Sequence, residues 1–253
     1  MIFFDPREPN KYNFLKKIIY PYLSDFTKKR YGGFKDGSYV FLQELFDKSN
    51  IVYSYGIGSD PQGLRFDLDC ADQNKNVYMY DGSINNPPVN HPNFIFKSEF
   101  LFKSLIKNHI KENNHENEKN MILKMDIEGY EYEVINNDID FISKHFDQIS
   151  IEIHGLIEEI PEKWTIEEPI SSIKKDKHIK QEFFKKICQY YNIIHIHANN
   201  HSPRYIDFPD SLEISFLRKD YPLFKLDKNE YPIDKLDFPN YDGREDYILN
   251  WWV

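Results

Sequence analysis

Two carboxylates and an imidazole stand where strands should end. The stretch MILKMDIEGYEYEVI, residues 121–135, carries a mostly apolar run into Asp126, breaks at Glu128-Gly129 and resumes with the apolar spacing of a helix. QISIEIH, residues 148–154, brings in Glu152 and His154, which are two apart and so share one face of a strand. An acid in the place of Asp126 could bind a cofactor amine, ligate a metal or take the proton of a substrate hydroxyl, and its plainer role is to cap the following helix. Glu128, Glu131 and Glu133 fall in or near the first helical turn, where the helix dipole favours negative charge, so at least one is expected to be structural. Asp126, Glu152 and His154 together suit a divalent ion such as Mg²⁺ or Mn²⁺, which would bind a diol and acidify a reacting hydroxyl. Without an ion, His154 is a candidate general base, or simply satisfies a neighbouring carboxylate.

A second set lies earlier in the chain. In GIGSD, residues 56–60, Gly56 and Gly58 allow a tight turn and close approach to a ligand, with Ser59 beside them. Asp81, about one strand–helix–strand unit later, stands where an acid accepts two ribose hydroxyls. Alone, these do not separate a nicotinamide cofactor from an adenosyl one. The third glycine falls only at Gly63, which breaks the spacing of a pyrophosphate cradle and favours a cofactor without phosphates. Asn199, Asn200 and His201 also follow a candidate strand, whereas His195 and His197 alternate along it as core or rim residues. KKRYGGFKDGSYVF, residues 28–41, sets Arg30, Tyr31 and Asp36 around glycines, as a lid over the site or an ordinary surface turn.

These residues need a scaffold. Strands are predicted at 51–56, 77–81, 93–98, 121–126, 148–154, 191–198 and 212–219. Helical spacing appears at 11–29, where Pro21 interrupts it, at 37–49, 100–113, from 131 onward and at 176–190, with a polar loop at 113–120. Such alternation predicts an α/β fold: a mostly parallel sheet with helices on both faces and ligands at the carboxyl ends of its strands. No helical pattern separates the last two strands, so the last is expected to enter antiparallel. The expected layout is an N-terminal helical or lid segment at 1–49, a cofactor-binding domain at 50–219 and an aromatic tail at 220–253. That tail, with many prolines and ending near Trp251 and Trp252, should pack on the domain or on a second subunit of a homo-oligomer.

Composition narrows the function classes. With 253 residues, 40% of them hydrophobic, the chain can bury one large core, and no composition shift marks a second domain. A net charge of −9, from 32 basic and 41 acidic residues, disfavours a polyanion-binding surface, so nucleic acid is not an expected partner. Cys70 and Cys188 have neither metal-ligand nor disulfide spacing, which suits a reducing compartment. Proline and acid in MIFFDPREPNK interrupt any signal-peptide pattern, and no apolar run approaches the ~20 residues of a membrane span, so a soluble cytoplasmic protein is expected.

VYSYGIG, VYMYDGS, MILKMDIEGYEYEVI and QISIEIH, taken together, resemble the FkbM-type S-adenosylmethionine-dependent methyltransferases. The signature is the lysine-hydrophobic-Asp-hydrophobic-Glu-Gly segment ending the fourth strand, and the likeness extends over about 50–219. It implies a class I methyltransferase, Rossmann-like sheet, with Gly56, Gly58, Ser59, Asp81 and Asp126 holding S-adenosylmethionine. An acid common early in the glycine-loop strand of that family is replaced here by Tyr53-Ser54-Tyr55. The resemblance also implies an O-methyltransferase acting on a sugar hydroxyl, with surface-glycan or capsule precursors, including nucleotide sugars, as acceptors. Arg30, Tyr31, Asn199, Asn200 and His201 would contact that acceptor, and Lys28, Lys29, Arg30 and Arg204 are the cations available for its phosphates. An NAD-dependent oxidoreductase on a similar sheet, or a non-catalytic binding module of a glycan pathway, are the alternative readings.

Overall fold

In the computed structural model, which describes residues 11–101, 105–158, 173, 176–222 and 225–253, seven strands form one sheet. They are β4 (Ile51–Tyr55), β5 (Asn76–Tyr80), β6 (Phe94–Lys97), β7 (Met121–Met125), β8 (Phe146–Ile153), β9 (Tyr191–Ala198) and β12 (Leu212–Arg218), in the order β6-β5-β4-β7-β8-β12-β9. β4 to β8 run parallel, and β12 enters antiparallel between β8 and β9. Apart from that inserted strand, the order is the doubly wound one, with its switch between β4 and β7. This is the mostly parallel class I methyltransferase sheet expected, last strand included. Strands β7 and β8 are buried at every residue; β7 accordingly reads as a mostly apolar run, whereas β8 alternates, and its Gln148, Ser150 and Glu152 are buried in hydrogen bonds with Leu42, Ser215 and Asn199.

The helices between these strands are α3 (Arg65–Asp72), α4 (Leu105–Glu112), α5 (Glu131–His145) and α6 (Lys177–Tyr190). Alternate strand residues feed two cores: Tyr53 and Leu123 join one face with Ile135, Ile142 and Phe184, while Val52 and Ile122 join the other with Phe41, Phe46 and Phe66. Asp176 caps α6 by accepting from the His178 and Ile179 amides at 2.8 and 3.0 Å. The helix expected over 100–113 is present at 105–112; residues 102–104 lie outside the described set, as do 1–10 of the N-terminal segment.

The N-terminal region departs from the sequence expectation. In place of a helix over 11–29 there is one turn, α1 (Asn13–Lys16), then β1 (Tyr22–Leu23) and β2 (Lys28–Tyr31). In place of a helix over 37–49, β3 (Tyr39–Leu42) pairs with β2 and only α2 (Gln43–Phe46) is helical. Burial decides the outcome: all four residues of β3, Tyr39, Val40, Phe41 and Leu42, lie inside, and β-branched and aromatic side chains fit a pleated surface better than a short helix. Gln148 on β8 secures this hairpin by exchanging hydrogen bonds with Leu42, at 2.7 Å from its amide and 3.2 Å to its carbonyl.

The C-terminal residues lie against the same region. β13 (Lys225–Leu226) pairs antiparallel with β1, and Tyr231 bridges Leu249. Trp251 donates its indole N–H to the Ile19 carbonyl at 2.8 Å, and Trp252 donates to that of Asn229 at 3.1 Å. A further small ladder joins β10 (Arg204–Tyr205) to β11 (Phe208–Pro209).

Candidate active site

The carboxyl ends of β4, β5 and β7 open on a cavity of about 670 Å³, lined among others by Tyr39, Gly56, Gly58, Asp81, Lys124 and Asp126. Gly56 turns the chain out of β4 at φ +73°, and a Cβ there would lie 1.6 Å from the Asp126 carbonyl oxygen, so glycine alone fits. Its amide donates to the Tyr80 carbonyl at 3.0 Å, tying the glycine loop to β5. A Cβ on Gly58 would meet nothing within 4 Å. Ser59 is exposed and does not line the cavity.

Asp81 organises this end. Its Oδ2 accepts from the Ile57 and Gly58 amides at 3.0 and 2.9 Å, and its Oδ1 from the Ser83 amide and hydroxyl at 2.8 and 2.6 Å. Burial alone would raise its pKa, but these hydrogen bonds outweigh burial and hold it below the usual carboxylate range. The carboxylate therefore shapes the loop through its backbone as well as facing the cavity.

The lysine–acid–acid–glycine segment folds back across β4. Lys124, 2% exposed, hydrogen-bonds the Gly56 carbonyl, reaches that of Tyr55 at 3.4 Å and lies 3.8 Å from Asp126 Oδ2. The Tyr39 hydroxyl donates to the same Asp126 oxygen at 3.3 Å. Glu128 at φ +54° and Gly129 at φ +102° make the turn into α5. Glu131, fully buried in the first turn of that helix, accepts the Ile127 amide at 3.0 Å and is also 3.0 Å from His154 Nδ1. It is the acid with the plainest structural role.

His154 gathers the remaining acids. Its Nε2 lies 3.6 Å from Glu152 Oε1, 3.8 Å from Asp126 Oδ1 and 3.6 Å from Glu128 Oε2. Burial would lower the imidazole pKa, yet Glu131 first, then Glu152 and Glu128, hold it well above its ordinary value. Burial pushes Asp126 up to about 6, against the pull of Lys124 and His154, and raises Glu152 well above the carboxylate range, with Asp126 adding to the rise. Glu152 Oε1 accepts from Asn199 Nδ2 at 2.8 Å and Ser211 Oγ at 2.9 Å. One ligand atom each of Asp126, Glu152 and His154 falls within 4.8 Å of the others, as does a second set of Asp36, Glu152 and Glu213.

The five residues expected to meet an acceptor are divided. Asn199 orients Glu152 and accepts the His201 amide at 2.9 Å. Asn200 is buried and holds the tail, donating to the Tyr241 and Arg244 carbonyls and accepting the Tyr241 amide. His201 is exposed beside the Tyr241 ring. Arg30 donates to the carbonyls of Gly33 and Lys35 and lies 3.9 Å from Asp237, while Tyr31 is buried with its ring stacked 3.7 Å from Phe46. Neither lines the cavity. Sequence reading passed over Tyr39 and Glu99, which both line the cavity, and the role of Lys124; for Lys124 the signal was present in the motif itself, since a lysine inside an apolar strand requires a buried acceptor.

Residues 103–201 match the family model described as the methyltransferase FkbM domain, a stretch that runs from α4 to just past β9 and includes Lys124, Asp126, Glu152 and His154. No curated protein matches the chain significantly. Among solved structures, the Methanococcus jannaschii fibrillarin pre-rRNA processing protein is similar at 12% identity and a TM-score of 0.43, covering 69% of this chain and 68% of its own. A putative hemolysin from Streptococcus thermophilus aligns at 12% identity and a TM-score of 0.41, over 74% of this chain and 73% of its own. Bluetongue virus VP4, titled a multifunctional RNA-capping production line, aligns at 12% identity and 0.36 over 58% of this chain and 24% of its own. Likenesses this distant carry no conclusion about activity. The family match and the strand order observed here support a methyltransferase, for which S-adenosylmethionine is the implied donor. No helix among the described residues is long and apolar enough to cross a membrane.

Proposed function

We propose that this protein is an O-methyltransferase that moves a methyl group from S-adenosylmethionine to a sugar hydroxyl. The observation that carries the reading is one cavity joining the glycine loop and Asp81 to Asp126, which stands with Glu152 and His154. The chain's own residues fit the donor: Gly56 and Gly58 leave room at the loop, and Asp81 faces the cavity from the end of β5. In a pyrophosphate-binding loop the helix opens within the glycine motif, whereas α3 here begins only at Arg65, which disfavours the nicotinamide alternative.

In the transfer, a C–O bond forms to the acceptor oxygen, the donor's C–S bond breaks, and the hydroxyl proton passes to a base. Asp126 suits that role better than His154, because a carboxylate near 6 is ionised at neutral pH while an imidazole held well above its ordinary range already carries its proton. The same groups fit a divalent ion. Glu131 at His154 Nδ1 leaves Nε2 facing Asp126 and Glu152, and an oxygen-rich set with one imidazole suits Mg²⁺ or Mn²⁺. Such an ion would lower the pKa of a bound hydroxyl.

The sugar assignment rests on the family resemblance and on acids suited to hydroxyl groups. Among the described residues lining the cavity Lys124 is the one basic side chain, and its ammonium is engaged by backbone carbonyls. Lys28 pairs with Asp227, Lys29 lies over the Tyr31 ring and Arg204 over the Tyr247 ring. This arrangement favours an uncharged sugar over a nucleotide-linked one. Calorimetry should show binding of S-adenosylmethionine and none of NAD. Labelled donor, offered with a panel of sugars, nucleotide sugars and catechols, should methylate a sugar oxygen located by mass spectrometry. Binding of NAD alone would refute the enzyme class, and transfer to catechol alone would refute the acceptor.

A further inference from the structure

Behind the cavity, on the side of β5 and β6, lies a buried relay that the proposed chemistry leaves unused. His109 on α4 is fully buried, its ring stacked 3.8 Å from that of Tyr80 at an angle of 12°. Its Nδ1 is 3.1 Å from the hydroxyl of Tyr55, itself fully buried. A phenol keeps its proton at ordinary pH, and burial raises the Tyr55 pKa further, so Tyr55 donates and Nδ1 accepts. The imidazole proton then sits on Nε2. That nitrogen is buried without a hydrogen-bond partner among the described residues, and 3.5 Å away is Oε1 of Glu99, a residue that lines the cavity. The other oxygen of Glu99 is taken by Lys97 at 2.7 Å. An unsatisfied buried N–H is unfavourable, so the relay is poised to draw Oε1 toward it and fix the direction of that oxygen's remaining lone pair.

The wall beside Glu99 is apolar and aromatic: Tyr80, Phe100 and Leu101 line the same cavity, and Phe100 packs where a Cβ on Gly82 would be 2.2 Å from its ring. A flat surface ending in a fixed carboxylate oxygen suits a planar heterocycle that bears an exocyclic amine. We propose that His109, oriented by Tyr55, is a positioning residue that holds Glu99 to accept the amino group of the cofactor's purine, so that the site selects an adenosyl group over its deaminated form. This rests on the reading that the cavity takes S-adenosylmethionine.

The test measures discrimination by calorimetry, with S-adenosylhomocysteine and S-inosylhomocysteine as paired ligands. The wild-type protein is expected to prefer the adenosyl compound by about tenfold or more, the scale of one hydrogen bond to a charged group. His109→Phe keeps a ring for Tyr80 to stack on but loses both nitrogens; it should lose most of that preference while its affinity for the inosyl compound stays the same. Glu99→Leu, at a side chain 28% exposed, should lose the preference too and serves if the buried variant does not fold. An unchanged preference in a folded His109→Phe or in Glu99→Leu, or a parallel loss of both ligands in His109→Phe, overturns the positioning role while leaving the cofactor reading in place. Absence of binding of either compound to the wild-type protein overturns both.

Discussion

Replacing Asp81 by Asn tests whether the glycine loop is held by charge. The substitution keeps size and shape, but an amide offers one acceptor oxygen where the carboxylate offers two. In the native protein those two oxygens serve opposite sides, one the Ile57 and Gly58 amides and the other the Ser83 amide and hydroxyl. Whichever way the amide turns, its NH2 faces donors on one side, and about two hydrogen bonds to a charged group are lost. Only the Ser83 hydroxyl can rotate to recover one. At ~1.5 kcal/mol each, the lower end for such bonds, the cost is about 2–3 kcal/mol. For a chain of this length that corresponds to a fall in Tm of roughly 4–12 °C. Affinity for S-adenosylmethionine should fall at least tenfold in calorimetry, because the loop is no longer set and the acid is gone. The pH dependence has a definite sign: a carboxylate held below its usual range adds stability above about pH 4 that is lost as pH falls through its folded pKa, and the variant should lack that increment. If Tm is unchanged at neutral pH and the acid limbs of the two proteins coincide, Asp81 does not hold the loop. If affinity is also unchanged, the cofactor is not bound at this strand end.

Three further outcomes are expected. Gly56→Ala forces a Cβ into the Asp126 carbonyl and should abolish cofactor binding or folding, whereas Gly58→Ala, which meets no atom but keeps the strain of a positive φ, should cost about 1 kcal/mol by denaturant titration. Glu131→Gln can still accept the Ile127 amide but removes the first charge partner of His154, so kcat should fall with donor affinity nearly unchanged in steady-state kinetics. His197 bridges Glu213 at 3.1 Å and Asp246 at 2.9 Å, and against burial these acids raise it to about 10. Its contribution is complete below about pH 6.5 and is lost as pH rises through 10, so thermal melts should show a decline across that window that is shallower in Asp246→Asn.

The sheet was readable because its strands stand out either as mostly apolar runs, as in 121–125, or as strict alternation, as in 148–154, and each ran into a turn or helix with its own signal. Asp126, Glu152 and His154 could be grouped from strand ends alone, and the structure brings them together. What the sequence concealed was long-range. Tyr39 reaches Asp126 across 87 positions, and Arg30 and Tyr31 turn away from the cavity because β2 and β3 form a hairpin where a glycine turn leading into a helix was expected. Short aromatic segments such as 28–42 have no periodicity strong enough to choose between helix and strand, and here burial against β8 and α3 made the choice. Asn200 looked available because a polar residue after a strand faces solvent unless some later segment covers it; residues 241–244 do so.

The place of β12 has a consequence in time. The ribosome delivers β8 and β9 before the strand that separates them in the finished sheet, so until residues 212–218 emerge a growing chain carries two partly unpaired strand edges. Those edges belong to strands buried almost throughout, the kind of surface that invites a wrong partner, whether β8 against β9 directly or another nascent chain. A chain halted after Ala198 should therefore be a strong client of holding chaperones, and one extended past Arg218 a weaker one. The step that completes the sheet is also the one that ends this exposure.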